Sequence, residues 1–184
     1  MSPLLKAEGL ALVRGGRLLF EGLELHLDAG SALQVAGPNG SGKSSLIRLI
    51  AGLLKPDAGR IERVPVGLAD EGLALDRELP LGQALSFWKG PRLADAMTAF
   101  HLEGLSPVPV RLLSTGQAKR ARLARVMASG APLWLLDEPL NGLDREGVRQ
   151  LEQAIADHLS SGGAVLAASH LALAGPWHSL ELGR

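Results

Sequence analysis

The stretch SALQVAGPNGSGKSSLIRLIAGLL, residues 31–54, changes its hydrophobic period halfway along. Residues 31–36 form a short, mostly apolar run that stops at a glycine, which is typical of a buried β-strand. From residue 44 onward the apolar positions recur at helical spacing, until Pro56 and Asp57 end the pattern. A strand, a glycine-rich loop and a helix in this order predict one unit of an α/β fold.

The glycine-rich loop carries a phosphate-binding pattern. GPNGSGKS, residues 37–44, matches G-x-x-x-x-G-K-[ST] without a mismatch, between the strand and the helix that the pattern requires. Its glycines let successive backbone N–H groups turn towards phosphate oxygens, and the helix adds its positive N-terminus. We expect Lys43 to meet the β- and γ-phosphates of a nucleotide and Ser44 to hold Mg²⁺. The alternative, a loop that merely connects two elements, does not explain the complete match in this context.

The remaining patterns predict a sheet covered on both faces. Glycines at 15 and 16 separate two apolar stretches, as in a β-hairpin, and two later strands are apolar almost throughout, which favours a buried parallel sheet. We expect a hairpin at 4–13 and 17–27, two strands within 59–68, helices within 81–104, at 114–128 and at 145–159, and strands within 132–139 and 164–169.

The expected fold class is therefore α/β: a P-loop nucleoside-triphosphatase with a mostly parallel core sheet, an N-terminal antiparallel β subdomain and a small helical insertion. The insertion covers residues 72–112, and with the next helix it makes a helical subdomain of about 72–130. The chain has 184 residues, of which 46% are hydrophobic, and this is enough to bury one complete core. We expect a single domain over 1–184.

The charge balance argues against a general attraction to nucleic acid or to an anionic membrane. Lys and Arg together number 19, as do Asp and Glu, so a phosphate must be held locally. Cysteine is absent, which excludes disulfides, and the first residues lack the layout of a secretion signal. No apolar run approaches the roughly 18 residues that span a bilayer. We expect a cytoplasmic location, with membrane contact only through a partner.

Two carboxylates follow the buried strand LWLL. We expect Asp137, beside the phosphate loop, to support Mg²⁺, and Glu138 to polarise an attacking water as general base. His170 directly follows the strand AVLAAS. The alternatives are two acids that cap a strand end and a histidine with a purely structural role.

The stretch LLSTGQAKRARLARV, residues 112–126, opens a helix with a second anion-receptive terminus. Ser114 and the Gly116 N–H are donors that the helix dipole reinforces. If this terminus faced the nucleotide of its own chain, it would duplicate the hydrogen-bond donors that the phosphate loop already supplies. Facing a γ-phosphate held by a second copy, it completes the site. We therefore expect ATP between two copies, with hydrolysis tied to dimer closure.

Five motifs occur in the order GPNGSGKS, LSTGQ, LLDEP, NGLD and His170, and on these the chain resembles the ATP-binding cassette family over essentially its whole length. The resemblance implies an ATPase dimer in which Asp144 of NGLD communicates across the interface and His170 responds to the γ-phosphate. Within the family, the chain is most similar to the ATP-binding subunits of haem exporters in cytochrome c maturation. This implies transmembrane exporter subunits as partners, at the cytoplasmic face of the inner membrane.

Two positions depart from the family pattern. Most cassettes stack an aromatic residue on adenine; here the matching stretch offers Val13 and Arg14, and we expect Arg14 to stack, a solvated hairpin charge being the alternative. The glutamine that links Mg²⁺ to the helical lobe is also missing. Either an acid, Asp70 or Glu71, makes the metal contact instead, or the loop that couples the two parts occupies a different position in this chain.

The expected site therefore draws on all five motifs. Its binding residues are Arg14, Gly37, Pro38, Asn39, Gly40, Ser41, Gly42, Lys43, Ser44, Ser45, Ser114, Gly116, Gln117 and Asp144; its catalytic residues are Lys43, Glu138 and His170; its metal residues are Ser44, Asp70 and Asp137.

Other features leave room for competing functions. The cations of the 114–128 helix, Lys119, Arg120, Arg122 and Arg125, favour a solvated helix face over a nucleic-acid stripe, because no aromatics interleave with them. Phe87 and Trp88 either line a groove for a membrane subunit or pack inside the small lobe. A soluble cassette ATPase acting on ribosomes or DNA is the second function class. A P-loop kinase would leave LSTGQ and His170 unexplained.

Overall fold

The computed structural model describes residues 3–72, 74–88 and 90–183. Its strands and helices alternate in the order that the hydrophobic patterns predict. In chain order the elements are β1 (Leu5–Arg14), β2 (Arg17–Leu27), β3 (Ala32–Ala36), α1 (Lys43–Ala51), β4 (Ala58–Arg63), β5 (Val66–Ala69), α2 (Leu81–Ser86), α3 (Leu93–Ala99), α4 (Thr115–Ala128), β6 (Leu133–Asp137), α5 (Arg145–Ser160), β7 (Ala164–Ala168) and β8 (His178–Glu181).

The core is a five-stranded parallel sheet with the order β5-β6-β7-β3-β8. All five residues of β6 and all five of β7 are buried, which is what a parallel sheet covered on both faces requires. A separate antiparallel sheet, β2-β1-β4, contains the N-terminal hairpin. The predicted α/β fold class is confirmed.

The hairpin turn consists of Gly15 and Gly16, whose φ angles are +58° and +75°. Two consecutive positive φ values match the twist of the flanking strands and favour glycine at both positions. The predicted hairpin is therefore correct, and it places Arg14 at the end of β1.

The helical subdomain contains helices within 81–104, as its sequence predicts. The expected helices within 81–104 are two short ones, α2 and α3, and 3₁₀ turns follow at Glu103–Leu105 and Val110–Leu112. The fully buried Phe100 and Leu102 belong to the same hydrophobic cluster as the apolar face of α4. A second cluster joins the antiparallel sheet to α1.

Helix α4 begins with a capping box, as a serine followed three residues later by a glutamine favours. The Ser114 hydroxyl oxygen accepts from the Gln117 N–H at 3.3 Å, and the Gln117 side-chain oxygen accepts from the Ser114 N–H at 2.9 Å. The interpretation of its cations as a solvated face was wrong. Their side chains donate to backbone carbonyls of other elements, from Lys119 to Glu138, Arg120 to Phe100, Arg122 to Asp70 and Arg125 to Leu68.

Strand β8 has no counterpart in the sequence analysis. Three of its four residues are exposed, so it lacks the apolar run that marks β3, β6 and β7. It pairs in parallel with β3 at the edge of the sheet, from Leu33 opposite His178 to Ala36 opposite Glu181. No helix within the described ranges is long and apolar enough to cross a membrane.

Candidate nucleotide site

Three neighbouring strands end at the same edge of the parallel sheet. Strands β6, β7 and β3 are adjacent, and each is followed by one of the predicted motifs. The phosphate loop follows β3, His170 lies two residues after β7, and Asp137 and Glu138 lie at the end of β6. Ligands of open α/β sheets bind at the carboxyl ends of the strands, so the topology brings these motifs to one place.

The phosphate loop depends on glycine at defined positions. Gly37, Gly40 and Gly42 have φ angles of +138°, +78° and +105°. A Cβ atom at Gly37 would lie 2.3 Å from the carbonyl oxygen of Leu182, so a larger residue would collide with the segment after β8. The loop is thus shaped both by its own backbone and by the C-terminal segment.

Lys43 folds back across the loop. Its ammonium donates to the carbonyl oxygens of Gly37 at 2.8 Å and Pro38 at 3.1 Å, and the side chain is buried. Lys43 is also the first residue of α1, so the loop leads directly into the backbone N–H groups that the first helical turn leaves without helical partners. A cation and free N–H groups in one place form a cradle for phosphate oxygens.

A cavity of about 580 Å³ opens beside this cradle, within the range of nucleotide-sized ligands. Residues from the hairpin, the phosphate loop and the ends of the parallel strands surround it. Its lining consists of Arg14, Leu19, Asn39, Gly40, Gly42, Lys43, Ser44, Ser45, Glu71, Glu138, Asn141 and His170.

Ser44 and Asp137 bring a hydroxyl and a carboxylate together between the start of α1 and the end of β6. The Ser44 hydroxyl donates to Asp137 Oδ1 at 3.0 Å. Burial raises the pKa of Asp137, and the hydrogen bond from Ser44 acts in the opposite direction. Hydroxyl and carboxylate oxygens fit Mg²⁺, and the described residues contain no group of three or more histidine, cysteine or acidic side chains placed to hold a metal ion. A hard cation here would therefore take further oxygens from water and phosphate.

Glu138 adopts an unusual backbone conformation. Its φ is +46°, in the left-handed region that residues other than glycine rarely occupy, while its N–H donates to the Ala168 carbonyl at 2.8 Å. The side chain turns to His170, with 2.8 Å between Glu138 Oε2 and His170 Nδ1. The Glu138 side chain is 20% exposed, so a water molecule can reach it.

Gln34, which the sequence analysis did not select, anchors the segment that carries His170. Its side-chain N–H groups donate to the carbonyls of Ser169 at 3.3 Å and Leu171 at 2.8 Å, and its oxygen accepts from the Leu173 N–H at 3.4 Å. A glutamine in an apolar strand is a signal of such a role, because an amide that is partly shielded from water needs hydrogen-bond partners. Strand β3 thus supports the phosphate loop and the histidine segment together.

Of the two acids that could replace the missing glutamine, the structure places Glu71 rather than Asp70 at the cavity. Glu71 lines it, whereas the Asp70 carboxylate accepts from the Gly72 N–H at 3.1 Å in a local turn. The Asp70 carbonyl accepts from Arg122. Two adjacent residues on an irregular segment point in different directions, and their sequence alone does not say which faces inward.

The remaining predicted residues lie apart from this cavity. Ser114, Gly116, Gln117 and Asp144 do not occur among the described residues that line it. Ser114 and Asp144 are exposed N-caps of α4 and α5, the Asp144 carboxylate accepting from the Gly147 N–H at 2.7 Å. One chain therefore presents a phosphate cradle and, separately, an exposed polar helix start.

The fold and the cavity define a P-loop nucleoside-triphosphatase. Residues 20–141 match the model of the ABC transporter family, and the chain belongs to that family. It is an ATP-binding, ATP-hydrolysing subunit of a transporter complex.

Curated relatives cover almost the whole chain. A protein of Sphingopyxis alaskensis is 55% identical over 96% of this chain and 94% of its own length. One of Pseudomonas syringae pv. syringae is 41% identical over 100% of this chain and 97% of its own. Both carry the name cytochrome c biogenesis ATP-binding export protein CcmA.

Solved structures agree on the fold. An ATP-binding subunit of an ABC transporter superposes with a TM-score of 0.84 at 24% identity, covering 91% of this chain and 80% of that one. A putative ABC transporter ATP-binding protein from Pyrococcus furiosus gives 0.83 at 22% identity, covering 97% and 96%.

Proposed function

We propose that the chain is the ATP-hydrolysing subunit of the haem exporter of cytochrome c biogenesis, acting as a homodimer at the cytoplasmic face of the membrane. The observation that carries the export role is the 55% identity, over nearly the full length of both chains, to a cytochrome c biogenesis export protein. Haem as cargo comes from the motif resemblance to haem exporters.

The chemistry rests on three groups around the γ-phosphate. Lys43 and the start of α1 bind phosphate oxygens and neutralise their charge. Glu138 accepts a proton from the attacking water, and His170, hydrogen-bonded to it at 2.8 Å, orients the carboxylate. Ser44 and Asp137 would hold Mg²⁺, which when bound supplies further charge neutralisation.

A second copy completes the site in this proposal. The helix start of α4 offers the Ser114 hydroxyl and free N–H groups, is exposed, and lies outside its own chain's cavity. Because this helix has 14 residues, its N-terminus carries a substantial positive end. When this helix start lies against the γ-phosphate bound by a partner chain, it covers the side of the nucleotide cavity that one chain leaves open.

Arg14 is proposed to stack on the base, and we expect weak base selectivity. A guanidinium plane stacks on any base without reading its edge. In a competition assay ATP and GTP should compete within about tenfold, or about 1.4 kcal/mol. Arg14→Ala should weaken both nucleotides alike, with Arg17→Ala, at the other end of the same turn, as control. An ATP preference of several orders of magnitude would contradict this assignment.

Phe87 and Trp88 are proposed to meet a transmembrane subunit. Phe87 is 75% exposed and Trp88 46%, their rings meet edge to face, and the Arg125 guanidinium lies over Trp88 at 4.8 Å. The alternative that both pack inside the small lobe is wrong for Phe87. Adjacent exposed aromatic rings are typical of interface anchors.

The docking proposal predicts that Phe87→Asp reduces recovery with co-expressed membrane subunits about tenfold or more. Pull-down from detergent-solubilised membranes measures this, and nucleotide binding should be unchanged. Leu53→Asp is the matched control, since Leu53 is a comparably exposed apolar residue (62%) that lies outside the helical subdomain. Recovery of the chain with ribosomes or DNA, and none with membranes, would support a soluble cassette ATPase instead.

A further inference from the structure

Lys119 is a buried cation in the second turn of the main helix of the helical subdomain. It lies on α4 and is 6% exposed. Its ammonium donates to the carbonyl oxygen of Glu138 at 2.8 Å. Burying an ammonium group costs free energy unless it is well paired, so this position needs a reason.

The surroundings of Lys119 belong to the catalytic side of the molecule. A small cavity beside it is also lined by Glu71, Asp137 and Glu138. Burial lowers the pKa of Lys119 to about 8, and the nearby acids act in the opposite direction. The Lys119 side chain therefore lies among the carboxylates of the nucleotide site.

The hydrogen bond that Lys119 donates is accepted by a residue with a strained backbone. Glu138 has a φ of +46°, a conformation that the surrounding structure must impose. The Glu138 N–H donates to the Ala168 carbonyl, and the Glu138 carbonyl accepts from the Lys119 ammonium at 2.8 Å and from the Asn141 N–H at 3.2 Å. With both peptide groups fixed, the direction in which the Glu138 side chain leaves the backbone is fixed too.

We propose that Lys119 is a positioning residue for ATP hydrolysis, acting by holding the backbone of Glu138 so that its carboxylate faces His170 and the phosphate loop. This rests on the proposed role of Glu138 as general base. Helix α4 is suited to the task because its apolar face, including Leu123, Ala124 and Val126, is buried and gives Lys119 a rigid support.

The neighbouring cation provides a matched control. Arg120, one residue along the same helix, also donates to a carbonyl oxygen, that of Phe100 at 3.3 Å. Phe100 lies in the core of the helical subdomain, whereas Glu138 lies at the nucleotide site. Lys119→Met and Arg120→Met thus remove the same kind of bond from the same helix, with different targets.

The experiment measures ATP turnover, the KM for ATP and thermal unfolding for both variants. We expect Lys119→Met to lower kcat about 10- to 100-fold with KM nearly unchanged, as losing a charge-assisted hydrogen bond that orients a reacting group would do. Lys119→Arg should recover most of the rate, because it retains a donor and a charge. Arg120→Met should lose stability without this loss of kcat. Equal kcat in both Met variants would overturn the proposal.

A double variant separates positioning from a structural effect. If Lys119 acts through Glu138, adding Lys119→Met to Glu138→Gln should cost little further rate. Additive losses in the double variant would contradict a shared pathway. If Lys119→Met fails to fold, Lys119→Gln is measured instead, because its shorter neutral side chain cannot make the same charge-assisted hydrogen bond; a normal kcat in the folded Lys119→Gln variant would overturn the proposal. If Glu138→Gln alone retains full turnover, the general-base assignment fails; if it is slow and Lys119→Met is normal, only the positioning role fails.

Discussion

Replacing Glu138 by Gln is expected to slow ATP hydrolysis by about 10² or more while leaving ATP binding intact. The amide has nearly the same shape but cannot accept the proton of the attacking water, which is what a general base contributes. Its side-chain oxygen can still accept from His170, so the loop geometry should remain. Single-turnover hydrolysis and equilibrium nucleotide binding measure the two effects separately.

Glu146→Gln is the control for this variant. Glu146 is a glutamate on α5 that pairs with Arg149, and it does not appear among the described residues lining the cavity. Its exchange should leave turnover within about twofold, as is usual for a surface ion pair. Unchanged turnover in Glu138→Gln would remove Glu138 from the catalytic role. The alternative of an acid that only caps a strand would then stand.

Replacing Ser114 by Arg is expected to abolish the ATP-dependent dimer, and with it hydrolysis, while the monomer still binds nucleotide. Ser114 is the exposed N-cap of α4, so an arginine there adds bulk and positive charge at the surface proposed to meet the partner's γ-phosphate. The phosphate cradle of the same chain lies elsewhere and should be unaffected. Gel filtration or light scattering with ATP in the slow Glu138→Gln background measures dimer formation.

The lost cap must be separated from the blocked interface. Removing an N-cap costs about 0.5–2 kcal/mol of stability, which by itself could weaken the dimer. Ser114→Asn keeps a capping side chain of small size and should dimerise nearly normally. A normal ATP-bound dimer of Ser114→Arg would refute the shared site and leave a chain that binds nucleotide alone.

The sequence predicts well which motifs meet at the carboxyl edge of the parallel sheet, because its signals are local. The glycines of residues 37–42 and the apolar strands before Asp137 and His170 each specify their own backbone conformation. Parallel strands then bring their carboxyl ends together, whatever the distance along the chain. The predicted strands, hairpin and helices, including those within 81–104, are therefore confirmed, while the exposed strand β8 carries too little apolar periodicity to be predicted.

The side chains that link the helical subdomain to the parallel sheet are harder to predict. A basic helix such as α4 has the same pattern whether its cations face water or carbonyl groups, and for that reason the solvated-face interpretation failed. The same difficulty applies to Asp70 and Glu71, since an irregular segment has no period that assigns one of them to the cavity.

By itself the sequence determined the phosphate loop, the parallel α/β fold and the family, because glycine conformations and hydrophobic periods act over a few residues. Only the tertiary structure decided that Glu71 faces the cavity, that Gln34 supports the His170 segment and that Lys119 holds the backbone of Glu138. The contacts of Gln34 and Lys119 join residues that are far apart in the chain, and their partners are backbone groups, which every residue has and no sequence pattern distinguishes.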